Sequence, residues 1–189
     1  MKAKIPVSAK FGASLISSPA IKSIIPVGTW WEFEHYRKGN LIDKWAQKNV
    51  ITTEGLNHML NVTFDGATAI ATWYMGLFED DYTPLITDTY ATPGFTESAA
   101  YDEATRPAFV EAAATAKIIT NSASKATFTI SGTKTIYGAF LCGGGTSGNT
   151  KEDTAGGGTL FASSKFATAK DVVDDDILMV VCSITLADA

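Results

Sequence analysis

From residue 29 onward, short apolar runs alternate with Gly, Ser, Asp and Pro, a pattern typical of β-strands joined by turns. In residues 29–36 (TWWEFEHY), Trp31, Phe33 and His35 share one strand face and the intervening residues share the other. The letters RKGN that follow indicate a tight turn, with the Gly or the Asn at positive φ. Residues 41–50 then return, so the pattern predicts an antiparallel hairpin.

The next stretch carries the signals of one short helix. Thr52 or Thr53 suits the N-cap, and Glu54 falls in the first turn, where a negative charge favours the helix dipole. Three apolar residues follow at helical spacing and form one stripe: Leu56, Met59 and Leu60. The sequence DG at residues 65–66 predicts the end of this helix.

Residues 69–78 (AIATWYMGLF) are apolar on both strand faces, which predicts a central strand covered on both sides. Gly76 within it indicates that a neighbouring group approaches closely. Clear strand patterns also occur at residues 126–130, 135–142, 159–163 and 177–186, and weaker ones at 94–101, 108–112 and 111–120. The sequence therefore predicts a mostly β fold, a β-sandwich or jelly-roll-like domain over residues 29–189, with one short helix.

Residues 1–28 differ from this pattern. They contain four lysines and no acidic residue, and their apolar positions show no regular period. One interpretation is a poorly ordered terminus. The other, which we prefer because a disordered tail rarely holds so many large apolar residues, is an extended N-terminal arm lying on another subunit. Its predicted partner-binding residues are Ile5, Phe11, Leu15, Ile16, Ile21, Ile24 and Ile25.

Composition narrows the classes of function. The chain of 189 residues is 46% hydrophobic and 19% charged, enough to bury a core, and its net charge of −5 offers no basic footprint for nucleic acid. No apolar run approaches the ~20 residues of a membrane span. Cys142 and Cys182 lie in apolar strand patterns, which favours buried free thiols over a disulfide. We expect synthesis in a reducing cytoplasm.

Candidate chemistry is sparse. Residues 143–148 (GGGTSG) match GxGxxG after a strand, but a second Gly-rich run follows at 156–158 where a nucleotide site needs a helix. We therefore interpret residues 143–158 as a long, mobile hairpin loop. The acidic triplets 79–81 and 174–176 lack calcium-loop spacing and are interpreted as solvated turns rather than a joint Ca²⁺ site.

Catalysis by a Ser or Cys nucleophile needs an oriented His, and only His35 and His58 are available. His35 is interpreted as a strand-face residue beside aromatics, and His58 lies beside the apolar stripe of the helix. No GxSxG motif occurs. From the sequence we expect a protein that is not an enzyme and that has no catalytic residue, no cofactor and no metal site.

Five motifs, EGLNH, TWY-GL, Y-EA-RP, I-GAFL and GTLFA, occur in this order across residues 49–186. This string resembles a family of small virion structural proteins of tailed bacteriophages, and the similarity is less clear over residues 1–48. The resemblance implies a virion component whose motif residues occupy core and turn positions.

Within a virion, a β-sandwich with an apolar arm suits a capsid decoration (cement) protein on the capsid surface, bound to the major capsid protein and assembled as a homo-oligomer, without membrane or nucleic acid contact. A tail, baseplate or fibre-attachment component is the first alternative. A host-surface glycan-binding module is the second, with Trp30, Trp31 and Tyr36 stacking on sugars. We expect function at the periphery, in the arm, at the hairpin tip near Gly39 or in the loop of residues 143–158.

Overall fold

The computed structural model describes residues 26–187, which form two antiparallel sheets and one helix. The first sheet contains β1 (Val27–Arg37), β2 (Asn40–Lys48), β7 (Ile118–Thr120), β8 (Ala126–Thr129) and β11 (Ile177–Leu186). The second contains β3 (Val50–Ile51), β4 (Trp73–Phe78), β5 (Glu97–Ser98), β6 (Ala108–Phe109), β9 (Lys134–Gly143) and β10 (Thr159–Val172). The helix α1 spans Thr53–Phe64.

The order of the first sheet is β2-β1-β11, with β7 and β8 both pairing along the outer edge of β11. The order of the second is β3-β10-β9-β4, with β5 and β6 both pairing along the outer edge of β4. β3 is therefore an edge strand. The predicted hairpin is confirmed, with Lys38 and Gly39 at positive φ in its turn.

One core lies between the inner faces of the two sheets. Trp31 and Phe33 of β1 are buried against residues of β4, β9 and β10. The rings of Phe33 and Phe166 meet edge-on, 4.7 Å apart, and join the sheets directly. The prediction of a mostly β, sandwich-like fold with one short helix is confirmed, while the jelly-roll topology stays a prediction.

A smaller apolar cluster covers the opposite face of the second sheet. Phe95 stacks on Phe78 at 4.8 Å and contacts Phe140 at 5.0 Å between ring centroids. The segment between β4 and β5 supplies this cover, so β4 and β9 are buried on both faces. This confirms the prediction of a doubly covered strand from the apolar run at 69–78, although residues 69–72 lie outside β4.

Some strand bounds differ from the prediction. β10 continues nine residues past the predicted end at Ser163, through a polar stretch whose pairing with β9 is interrupted between Lys165 and Lys170. That interruption breaks the alternation by which a strand is recognised. The weak patterns at 94–101, 108–112 and 111–120 give only the short strands β5, β6 and β7.

Gly76 of β4 shows how closely side chains pack on the second sheet. A Cβ added there would lie 2.2 Å from Cζ of Phe140, as the predicted close approach requires. We expect Gly76→Ala to lower the free energy of unfolding by about 1–3 kcal/mol through overpacking, measured by urea denaturation. Gly132→Ala, where an added Cβ meets nothing within 4 Å, is the control. Equal losses at the two positions would contradict this account of Gly76.

Candidate interaction surface

The N-terminus of α1 is fixed to β10 by its cap and by a glycine. Thr52 is the N-cap, as predicted, and its Oγ1 accepts a hydrogen bond of 2.9 Å from the N–H of Gly55. The same hydroxyl donates to the carbonyl of Leu160. A Cβ at Gly55 would lie 2.7 Å from Cα of Phe161, so only glycine allows this approach. The helix therefore lies close against the end of the second sheet.

Glu54 does more than complement the helix dipole. Its Oε2 accepts hydrogen bonds from the backbone N–H groups of Tyr90, at 2.8 Å, and Leu160, at 2.7 Å. The N–H of Thr53 donates to the carbonyl of Ile86 at 2.8 Å. One helix turn thus joins β10 to the segment before β5. The sequence showed the charge but not its partners, which are distant along the chain.

An apolar groove of about 920 Å³ runs between α1 and the neighbouring ends of β1 and β3. We call it the α1 groove. Trp30, Leu60 and Ile86 line it and are 43%, 51% and 62% exposed, respectively. Pro26, the first residue that the structure describes, also lines it. Large apolar side chains left exposed in one groove indicate a surface for a binding partner.

A second, smaller cleft of about 370 Å³ lies on the other side of α1, between the helix and the ends of β7 and β11. His58 lines it and packs edge-on against Trp73, 5.6 Å between ring centroids. Met59 lines both the cleft and the α1 groove. The helix is therefore flanked by apolar surface on both sides, and His58 has the packing role that its position suggested.

One deeply buried charge is the guanidinium of Arg106, which is 3% exposed. Its Nε and Nη2 donate to the two carboxylate oxygens of Glu97 at 2.9 and 2.6 Å. Its Nη1 donates to the hydroxyl of Tyr90 at 3.1 Å and to the carbonyl of Gly148 at 2.9 Å, and Nη2 also donates to the carbonyl of Asp153. Burial raises the pKa of Glu97, and the bonds from Arg106 oppose that effect.

This network organises the loop of residues 143–158. Besides the bonds from Arg106, the carboxylate of Asp153 accepts bonds from the hydroxyls of Tyr90 and Ser147, each under 3 Å. As predicted, the loop connects two strands, β9 and β10, rather than opening a phosphate-binding helix. The local sequence gave no signal for this role of Arg106, because a residue before a proline indicates only an extended backbone.

A second buried charge lies in the predicted acidic turn at 174–176. Asp176 is 1% exposed and accepts bonds from Arg37, His35 and the N–H of Val173, all of 2.7–2.9 Å. These bonds, with those of Arg37 foremost, hold the pKa of Asp176 well below its usual range. The interpretation of the whole triplet as a solvated turn is therefore wrong for Asp176.

The remaining candidate groups are the two cysteines and the acidic triplet at residues 79–81. Cys142 and Cys182 are buried free thiols, as predicted, and burial raises the pKa of Cys142 to about 12. Glu79 and Asp81 pair with lysines at 3.1 and 2.6 Å. Among residues 26–187, no group of three or more His, Cys, Asp and Glu side chains is arranged to hold a metal ion. No helix in that range is long and apolar enough to span a membrane.

The proposed sugar-stacking trio does not form one surface. Trp31 is fully buried in the core, so its ring is closed to a ligand. Tyr36 is half-buried and donates to Glu34 at 3.0 Å, which leaves Trp30 as the exposed ring. At the hairpin tip, Leu41 and Ile42 are about half exposed and form a further small apolar spot.

Comparison with models of protein families, with curated proteins and with solved structures finds no match. The resemblance to phage virion proteins therefore stays a prediction. The predicted arm residues Ile5, Phe11, Leu15, Ile16, Ile21, Ile24 and Ile25 lie outside the described residues.

The Asp176 cluster predicts an acid-sensitive contribution to stability. A lowered folded-state pKa stabilises the protein above the unfolded value, near 4, and that contribution is lost as the pH falls below it. We expect Asp176→Asn to lower the free energy of unfolding by about 3 kcal/mol above about pH 5. The difference in this free energy from wild type should narrow towards about pH 2. Urea denaturation across this pH range measures the difference. Exposed Asp174→Asn is the control, and a gap at Asp176 that stays constant to the lowest pH would contradict the prediction.

The Arg106–Glu97 pair predicts strong coupling in a double-mutant cycle. Arg106→Met leaves the buried carboxylate of Glu97 unpaired and should lower the free energy of unfolding by about 3–5 kcal/mol. Adding Glu97→Gln to this variant should recover part of that free energy. Lys134→Met with Glu79→Gln, at an exposed pair, should show coupling below about 1 kcal/mol. Additive losses at Arg106 and Glu97, measured by denaturation, would contradict the interpretation.

Proposed function

We propose that this chain is a structural protein of a tailed-bacteriophage virion, a capsid decoration protein that binds and stabilises the shell of the major capsid protein. The observation that carries the proposal is the apolar surface around α1, which meets the start of the described chain at Pro26. A firmly fixed helix between two apolar clefts presents a preformed surface for protein contacts. The motif resemblance supports the virion as the setting.

The distribution of charge supports a binding role over a catalytic one. The buried ionisable side chains described above, Arg106, Glu97, Asp176 and His35, bond to one another or to backbone groups that hold loops in place. A catalytic group instead needs a free face towards a substrate. These four buried groups therefore serve the fold, whereas the α1 groove is an exposed and mainly apolar surface.

The arm is the proposed contact with the capsid. Its apolar residues before Pro19 would fill small pockets on the major capsid protein, while its lysines would meet an acidic surface there. The body, built on its own core in residues 26–187, would sit above the shell.

Binding to expanded capsids that lack this protein tests the proposal. We expect the full chain to bind, and a full-length variant carrying Ile5→Ser, Phe11→Ser, Leu15→Ser and Ile16→Ser to lose binding while keeping its thermal unfolding temperature. Leu41→Ser with Ile42→Ser, at the exposed hairpin tip, is the matched control and should still bind. Co-sedimentation measures the bound fraction.

The outcomes separate the alternatives. Undiminished binding of the arm variant would overturn the arm as the capsid contact. Binding to isolated tails but not to capsids would favour the tail or baseplate alternative. Binding to host polysaccharide that is lost in Trp30→Ala would favour the glycan-binding alternative, which now rests on that single exposed ring.

A further inference from the structure

We propose that the α1 groove binds residues 21–25 of a second copy of this chain, so that copies are joined by exchange of this segment. This exchange is a property of the purified chain alone and does not depend on the proposed function. It assigns the part of the arm nearest the body to a neighbouring copy, and leaves residues 1–20 for another partner.

The groove has the features of a site for an extended peptide. Its walls are largely apolar, with Lys48 and Asn49 as polar members, and β3 at its side is an edge strand of the second sheet. An edge strand presents backbone N–H and C=O groups to which another chain can add. Asn49, next to β3, accepts a bond from Thr29 and also lines the groove.

The segment has matching chemistry. Residues 21–25 read IKSII, so three of five side chains are isoleucines that would bury apolar area against Leu60 and Ile86. Five extended residues span about 17 Å, a length suited to a groove beside a 12-residue helix. The segment ends at Pro26, on the rim of a groove, so every copy carries both the ligand and the site.

The direction of the chain favours a second copy over the same copy. The carbonyl of Pro26 accepts a bond of 3.0 Å from Ala187, which extends the β1–β11 ladder beyond the pair Val27–Leu186. Because a residue before a proline favours extended geometry, we expect the segment to continue away from the end of the ladder. Trp30 lies back along β1, and reaching it in the same copy requires a reversal. A neighbouring copy requires none, and reciprocal exchange closes a two-fold dimer.

Self-association of the full chain gives the first test. We expect wild type to have twice the 20.0 kDa chain mass by light scattering. Leu60→Asp, in the groove, and the combined variant Ile21→Asp, Ile24→Asp and Ile25→Asp should each weaken self-association about tenfold or more. Phe64→Asp is the matched control, because Phe64 lies on the same helix, is 82% exposed and does not line the groove. A monomeric wild-type chain would overturn the proposal. So would an equal loss of self-association in the Phe64→Asp control.

Disulfide trapping distinguishes exchange from binding within one copy. Chains carrying Ile24→Cys are mixed with tagged chains carrying Leu60→Cys and oxidised, on a background where both native cysteines are buried. We expect an interchain disulfide, and much less of it when Phe64→Cys replaces Leu60→Cys. The double variant Ile24→Cys, Leu60→Cys in one chain should also give a covalent dimer. An intrachain disulfide at monomer mass, or no preference for Leu60 over Phe64, would overturn the proposal.

Discussion

A guanidinium buried away from water must find an acceptor for each N–H group, and this constraint organises one whole face of the molecule. Arg106 meets it with Glu97, the hydroxyl of Tyr90 and two loop carbonyls. Tyr90 in turn donates its backbone N–H to Glu54 in the first turn of α1. A continuous set of bonds therefore runs from a buried charge to the helix that forms the exposed apolar surface.

The two faces of the second sheet are stabilised in different ways. Its inner face packs against the first sheet mainly through apolar side chains, with the rings of Phe33 and Phe166 in contact. Its outer face combines an aromatic cluster with the Arg106 network. The hydrogen-bond acceptors of that network lie on the long segments between the strands. Because these segments are fixed by hydrogen bonds, the α1 groove is a preformed surface, which lowers the entropic cost of binding a partner.

Local patterns predicted most of the fold and little of the site. The alternation in TWWEFEHY, the cap at Thr52 and the apolar run before Phe78 indicated β1, α1 and β4, since each signal lies within a few neighbouring residues. The partners of Arg106 and Asp176 come from positions far along the chain, so no local pattern could show them. The α1 groove was equally hidden, because it forms where β1, β3 and α1 meet.

The proposed role is that of a decoration protein on a phage capsid, with its apolar surfaces directed at protein neighbours. A cryo-electron microscopy map of intact particles at a resolution that shows strands tests this most directly. We expect two-sheet density of this shape on the outside of the capsid shell, with α1 facing a neighbouring subunit and a copy number comparable with that of the major capsid protein. Density confined to the tail or baseplate, in a few copies per particle, would contradict it.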